Sequence, residues 1–380
     1  MSALFDEYVA IRREFHSLPE LGFSEHKTRR RIAEVLTGLG LDVLEGTGVI
    51  GVLRAGTGEQ MIGLRADMDA LPIKETSQHE YPSSVVGVMH ACGHDGHMAM
   101  LLAAAAELAQ RPTFDGTVVF IFQPNEELGL GAKAMIDEGI LRQFAMDEIY
   151  AIHNLPGAPV GHVSTRKGLI CASESIFEIR IEGQGGHASL PHMGRDAISI
   201  GAEIVQALQS IVSRKLTPGS GAVVSVTEFV TDGQRNVMAG TAVLKGDVRA
   251  RTPADRDAIE RFIRNIAAGT ALSHDVTTAV DFKTEFIETR NADVPTEAVI
   301  RAARSIGLEA IGDRAPMSFS EDFAHFLEAV PGCFLLLGNG ETGTHGQPLH
   351  SSSYDFNDAL VPIGAAFWAA LVRDRLPTGR

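Results

Sequence analysis

Cysteine is scarce in this chain. Its 380 residues hold three, Cys92, Cys171 and Cys333, odd in number and far apart. That pattern suits a reducing compartment and thiol chemistry better than a disulfide framework, with the cytoplasm as the expectation. Positive charge is also short: 33 Lys and Arg face 48 Asp and Glu, giving a net charge of −15. A nucleic-acid partner would need a basic patch and is not expected; the acidic excess serves solubility. No stretch approaches the ~20 uninterrupted apolar residues of a membrane span, so no membrane partner is expected either. The opening MSALFDEYVAIRREF mixes acids and bases at helical spacing and lacks the charged-then-apolar layout of a signal peptide. Repeats, low-complexity tracts, long linkers, a phosphate-binding motif and a nucleophilic serine elbow are all missing. What remains is 44% hydrophobic and 21% charged, a soluble globular composition. The length suits one very large domain or two ordinary ones.

One stretch concentrates the chemistry. Met89–Met100 (MHACGHDGHMAM) places His90, Cys92, His94, Asp95 and His97 within eight residues. Cys92 and His94 are two apart, so a tight turn can aim both at one point, and Gly93 and Gly96 let the backbone bend there. The Ala-rich run that follows, to Leu108, reads as a buried helix. The stretch is therefore a ligand-bearing loop feeding a core helix.

Three apolar runs end in polar residues: 61–64 into Asp67 and Asp69, 117–122 into Glu126 and Glu127, and 148–152 into His153 and Asn154. Helical segments at 96–110 and 131–142 separate them. This alternation predicts a largely parallel α/β sheet, with ligands beyond the carboxyl ends of its strands. Residues 4–40 read as two helices with a turn at 19–22, and 43–54 as short paired strands broken at Gly46, Gly48 and Gly51. After about residue 174 the pattern changes. A half-exposed strand at 175–182, a helix at 196–213, strands at 222–229 and 241–249, a helix at 253–272 and a strand at 277–282 give the order β-α-β-β-α-β. That is a ferredoxin-like split unit, inserted into the first domain. From about 290 the earlier style returns, with a helix near 295–306, a strand at 333–337 and a last helix at 359–376.

Thiolate and imidazole at Cys92 and His94 favour zinc or a neighbouring transition metal over magnesium or calcium. Glu126 and Glu127 follow a strand and a proline, and their adjacent side chains diverge. One can bind metal while the other acts as the general base of a hydrolysis. His153 and His350 become plausible ligands only because such a site needs more of them. Asp69 can orient a ligand histidine or bridge metals. His187 cannot be assigned by spacing.

RADMDALP at 65–72, the HACGHDGH loop, QPNEE at 123–127, GGHAS at 185–189, SEDF at 320–323 and LHSSSYDFND at 349–358 together resemble the metal-dependent amidohydrolase family. That family comprises hippurate hydrolases, N-acyl-amino-acid amidohydrolases and auxin-conjugate hydrolases, with carboxypeptidase G and aminoacylase as more distant relatives. The motifs run from HSLPELG at 16–22 to the last helix. The resemblance implies metal ligands at Cys92, His94, Glu127, His153 and His350, holding one or two divalent transition-metal ions per subunit (Zn²⁺, Mn²⁺, Co²⁺ or Ni²⁺). It implies Glu126 as general base, His187 as stabiliser of the tetrahedral oxyanion, and Asn236 and Arg249 as binders of the substrate carboxylate. Asn125, Ala239 and Ser352 depart from the family pattern.

The expected fold is α/β: a mixed, largely parallel metallopeptidase-like catalytic domain (1–173 and 290–380) with an inserted ferredoxin-like α+β lid/dimerisation domain (174–289). The expected reaction is metal-dependent hydrolysis of a small-molecule N-acyl amino acid, hippurate-like, N-benzoyl or N-acetyl. Rival readings are hydrolysis of another aryl amide or small peptide, and a non-catalytic metal-binding relative. The exposed sheet edges of the split unit can pair between chains. In relatives such pairing makes a dimer, which implies a homodimer or higher homo-oligomer with His187 acting in the neighbouring site.

Overall fold

A computed structural model describes residues 3–379; Met1 and Ser2, which open the amphipathic pattern read above, lie outside the described residues. In chain order the elements are α1 (Ala3–Ser17), α2 (His26–Gly38), β1 (Asp42–Glu45), β2 (Val49–Ala55), β3 (Met61–Asp67), α3 (His94–Gln110), β4 (Gly116–Gln123), α4 (Gly131–Glu138), α5 (Ile140–Gln143), β5 (Glu148–Pro156), β6 (Val163–Ser164) and β7 (Gly168–Cys171). There follow β8 (Ser173–Glu182), β9 (Gly186–His187), α6 (Ala197–Leu208), β10 (Val223–Thr231), β11 (Val237–Met238), β12 (Thr241–Ala250), α7 (Pro253–Ser273) and β13 (Thr277–Phe286). The chain ends with β14 (Thr289–Asn291), α8 (Asp293–Ser305), β15 (Ala310–Ile311), α9 (Ala324–Ala329), β16 (Gly332–Gly340) and α10 (Leu360–Arg375). Two compact units result. The second comprises Cys171–Glu288 with the short segment Met317–Glu321, and the first holds the rest.

The first unit is built on an eight-stranded sheet of order β1-β2-β4-β3-β5-β16-β6-β15. Its centre, β4, β3, β5 and β16, is parallel, whereas β1, β2 and the β16–β6 pair run antiparallel. Every residue of β4 and β16 is buried, as expected for strands covered on both faces, which read as continuous apolar runs. Helix α3 is apolar on all sides and buried almost throughout, from His94 to Leu108. A helix of that kind belongs inside a core. The small side chains of Ala103–Ala106 let it pack against α1, α10 and β3. Gly51, expected as a break, lies inside β2; a Cβ there would come within 3.0 Å of Leu36 and 3.1 Å of Leu41, so close packing rather than a turn requires the glycine.

The second unit carries the order β8-α6-β10-β12-α7-β13 around an antiparallel sheet of order β10-β12-β8-β13. Burial alternates along β8, with Phe177, Ile179 and Ile181 facing the core built with α6 and α7. Asp196 caps α6 by accepting from Ile198 N and Ser199 N, and Thr252 caps α7 ahead of Pro253. The helix expected over 196–213 stops at Leu208 and gives way to a π-helical turn at Ile211–Lys215. Ile211 is buried like Leu208, so the apolar spacing runs across the break and hides it.

Candidate metal centre

Parallel pairing brings the carboxyl ends of β3, β4 and β5 to one side of the first unit. There Asp67 and Asp69 leave β3, Glu126 and Glu127 follow β4, and His153 lies within β5. The Cys92–His94 turn arrives at the start of α3. Gly93 makes that turn with φ +93°, and a Cβ on it would lie 2.3 Å from Asn154 Nδ2 and 2.4 Å from Tyr354 Oη. Two residues other than glycine at the site are also left-handed, Asn125 (φ +48°) and His350 (φ +62°). Such backbone costs on the order of 1–3 kcal/mol and persists where surrounding structure enforces it, often at functional sites.

The ligating atoms of Cys92, His94 and His153 lie within 4.8 Å of one another, as do those of His94, Glu126 and Glu127, and of Cys92, Glu127 and His350. Cys92 Sγ is 3.3 Å from His153 Nε2, and His350 Nε2 is 3.4 Å from Glu127 Oε2. His94 Nε2 stands 3.8 Å from Asp67, 4.0 Å from Glu126 and 3.9 Å from Glu127. Those gaps are too long for hydrogen bonds. His94 Nε2 and Glu127 Oε1 are accordingly buried without a hydrogen-bond partner. Bonds of ~2.0–2.3 Å to sulfur, nitrogen and oxygen would bridge them through a shared ion, so this donor set fits a transition metal.

The rings are held from behind. His94 Nδ1 donates to the Asp69 carbonyl at 2.9 Å, and His153 Nδ1 donates to the Asn154 carbonyl at 2.7 Å. Each turns its Nε2 toward the cluster, and its neutral form with the proton on Nδ1 is the tautomer a metal ligand needs. Asp69 Oδ2 also accepts Glu127 N at 3.0 Å. Burial disfavours charge on His94, yet Asp67, Asp69 and Glu127 outweigh it and push its pKa up to about 10. Burial, then Glu127, Glu126 and Asp67, hold the Cys92 thiol well above its ordinary range. Burial and the neighbouring His97 hold His153 well below its own. A bound cation would reverse this balance and favour thiolate and neutral imidazole.

All six first-unit residues singled out as ligands or base are thus together, with Asp69 directly behind them. Spacing missed a supporting layer. His97 Nδ1 donates to Asp67 Oδ1 at 2.6 Å, and its Nε2 accepts from Asn154 N at 3.0 Å. Asn154 in turn donates to the Cys92 carbonyl at 2.6 Å and accepts from Tyr354 Oη at 2.7 Å. Asp67 is anchored by Arg65 at 2.7 Å. Burial opposes its ionisation, but His94, His97 and Arg65 hold its pKa well below the carboxylate range. Asp67, His97, Asn154 and Tyr354 all stood in the runs and motifs read from the sequence, but nothing in their spacing assigned them to this layer.

His187, Asn236 and Arg249 belong to the second unit. His187 pairs with Val237 in the β9–β11 ladder, and Asn236 O accepts Ala188 N at 3.2 Å, so the first two are neighbours. His187 Nδ1 accepts from Ser189 Oγ at 2.8 Å. Arg249 meets Asp247 through two nitrogens at 2.9 and 3.1 Å, Glu174 at 2.6 Å and Ser320 Oγ at 2.9 Å. Its fork is already engaged by two carboxylates. Of the departing positions, Asn125 donates its N–H to Glu25 at 2.9 Å, and buried Ala239 accepts Ala197 N at 3.1 Å. Ser352 bonds Thr76 through both its hydroxyl, at 2.9 Å, and its carbonyl, at 2.7 Å.

Residues 63–374 match the model of Peptidase family M20/M25/M40, and the chain belongs to that family. It is 38% identical over 374 residues to a hippurate hydrolase of Campylobacter jejuni, covering 96% of this chain and 95% of that protein. It is 32% identical to the N-acetylcysteine deacetylase of Bacillus subtilis, covering 97% of each. Among solved structures, the YxeP protein of Bacillus subtilis, described as a dinuclear metal binding peptidase from the M20 family, matches with a TM-score of 0.86. That match has 30% identity and covers 99% of both chains. The mixed α/β fold read from the sequence is therefore the fold of this family. No helix among the described residues is long and apolar enough to cross a membrane.

Proposed function

We propose that the protein hydrolyses the amide bond of N-acyl amino acids in a metal-dependent reaction, releasing a carboxylic acid and a free amino acid. The observation that carries this reading is the buried, unpartnered Nε2 of His94 facing three carboxylates, with Cys92, His153 and His350 closing the ring. Relatives named for the hydrolysis of hippurate and the deacetylation of N-acetylcysteine support the substrate class.

Cys92, His94, Glu127, His153 and His350 would hold one or two divalent ions, of the Zn²⁺, Mn²⁺, Co²⁺ or Ni²⁺ type. Bound there, such an ion supplies Lewis acidity toward water and the scissile carbonyl. Glu126 takes a proton from the attacking water and delivers it to the leaving nitrogen. Asp69 fixes His94 and the backbone of Glu127. His187 donates to the oxyanion, while Asn236 and Arg249 hold the carboxylate of the leaving amino acid, which must compete with Asp247 and Glu174 for the Arg249 fork.

In this reading residues 1–173 and 290–380 form a cytoplasmic catalytic domain. Residues 174–289 serve as lid and dimerisation domain, and His187 works in the partner's site of a homodimer. The test is release of amine from benzoylglycine and a panel of acetylated amino acids, before and after chelation. Turnover that stops on chelation and returns with added metal is expected; full activity in exhaustively stripped protein overturns the proposal. For His187, mixing inactive His187→Ala with inactive Glu126→Gln should restore activity through subunit exchange, and proven exchange without recovery places it elsewhere.

A further inference from the structure

A second group of imidazole and carboxylate side chains lies in the first unit and shares no member with the ligands above. His16 closes α1, and Glu75, Ser77 and His79 follow one another at every second position of the loop between β3 and α3. His16 Nε2 lies 3.2 Å from Glu75 Oε1, and His79 Nε2 lies 2.8 Å from the same oxygen. Ser77 Oγ also donates to Glu75 Oε1 and stands 3.1 Å from His79 Nε2. The side chains of His16, Glu75 and His79 are 0%, 6% and 10% exposed.

Two hydrogen bonds, from His16 and Ser77, therefore fill the two lone pairs of one oxygen, and His79 Nε2 presses against the same atom as a close charge contact without a hydrogen bond to it. The crowding is not forced by a shortage of acceptors, because Glu75 Oε2 takes only Ser83 N, at 2.6 Å, among its hydrogen bonds here. His16 is also backed as a ligand would be. Its Nδ1 is 2.8 Å from Asp95 Oδ2, and Arg12 Nε holds the same carboxylate oxygen at 3.1 Å. A carboxylate behind one ring nitrogen fixes the tautomer and frees the other nitrogen for a metal. The His79 ring stacks on Tyr81 with centroids 4.2 Å apart, which fixes its orientation. Tetrahedral bonds of ~2.0–2.2 Å to histidine nitrogen and glutamate oxygen set neighbouring ligand atoms about 3.3 Å apart. The His16–Glu75 separation of 3.2 Å is close to that, and the His79–Glu75 separation of 2.8 Å needs to open by about half an ångström.

We propose that His16, Glu75 and His79, with Ser77 Oγ or a water completing a tetrahedron, form a separate structural site for a divalent transition-metal ion of the zinc type. Binding displaces the ring proton that His16 now shares with Glu75 Oε1. The near-complete burial of its three ligands suits a structural ion, whose task is to tie the end of α1 to the 75–83 loop. Through Asp95 it also braces the first turn of α3.

The test counts metal. Protein stripped by chelator is reloaded with excess Zn²⁺, desalted and measured by inductively coupled plasma mass spectrometry, alongside Glu75→Gln and His79→Phe, the latter keeping a ring over Tyr81. Parallel samples loaded with Co²⁺ report the Cys92 site through its thiolate charge-transfer absorption, which the His16 cluster cannot produce. Both variants should hold one zinc fewer per chain than the wild type and keep the cobalt band. Equal zinc counts overturn the proposal. Loss of the cobalt band together with all zinc overturns it too, since the cluster would then act only through the Cys92 site. His79→Gln replaces any variant that fails to fold and is judged by the same count.

Discussion

Asp69 grips His94 twice: its backbone carbonyl lies 2.9 Å from His94 Nδ1 and its carboxylate 3.3 Å from the same nitrogen. The other carboxylate oxygen takes Glu127 N. One residue thus sets the direction of two proposed ligands, one at the start of α3 and one in the turn after β4. Asp69→Ala should keep the fold and weaken metal affinity or activity by about 10–100-fold, as loss of such supporting groups does. Metal titration of stripped variant against wild type checks this, and unchanged affinity with unchanged turnover counts against it.

Glu126 and Glu127 should fail differently. Glu127→Gln removes a charged ligand, so metal content and activity should drop together. Glu126→Gln should keep its metal and lose roughly 10²–10⁴-fold in rate, the usual contribution of a general base. Metal analysis of both purified variants decides, and the reverse pattern exchanges their roles.

Glu25 gives a pH signature. Its carboxyl is buried, and burial pushes its pKa up to about 7 against the pull of backbone donors such as Asn125 N. In the unfolded chain the same group titrates near 4.5. Between those values the native state binds the extra proton, so stability from this group is complete below about pH 4.5 and is lost as pH rises through about 7. Denaturant unfolding at pH 5 and pH 8 should show wild type losing more stability over that interval than Glu25→Gln. Parallel losses would assign the pH response to other groups.

Arg249 is poised between partners. If its fork holds the substrate carboxylate, Arg249→Ala should raise KM for N-acyl amino acids by at least tenfold and leave the matching amides nearly unchanged. Equal effects on both series would mean that its pairs with Asp247 and Glu174 only brace the second unit.

The legible parts of the sequence were those with local period. Alternation along 175–182 and the helix patterns at 196–213 and 253–272 spelled out the split unit, and the apolar runs at 61–64, 117–122 and 148–152 spelled out the central strands. The two-residue strands β6 and β15 have no room for a period, and the π turn after Leu208 hides under continuing apolar spacing. In the site, Cys92 and His94 stood out because they lie two positions apart on one turn. Tyr354 reaches Asn154 across 200 positions of chain, and His350 reaches Glu127 across a still longer stretch, so spacing alone could not pair them. The neutralisation of Arg249 by Glu174 was equally invisible, because it depends on which residue of β8 registers opposite it in β12.

Helix α3 begins at the ligand turn and is buried nearly to its end between α1, α10 and the sheet. Its amide protons can meet solvent only when the whole unit opens, so hydrogen exchange there should report global rather than local unfolding. The ligand turn therefore rides on the portion of the molecule that opens last. An ion held only by the folded ligand turn adds to the stability of the whole unit, so exchange along α3 should quicken when the ion is stripped and slow again when it is restored.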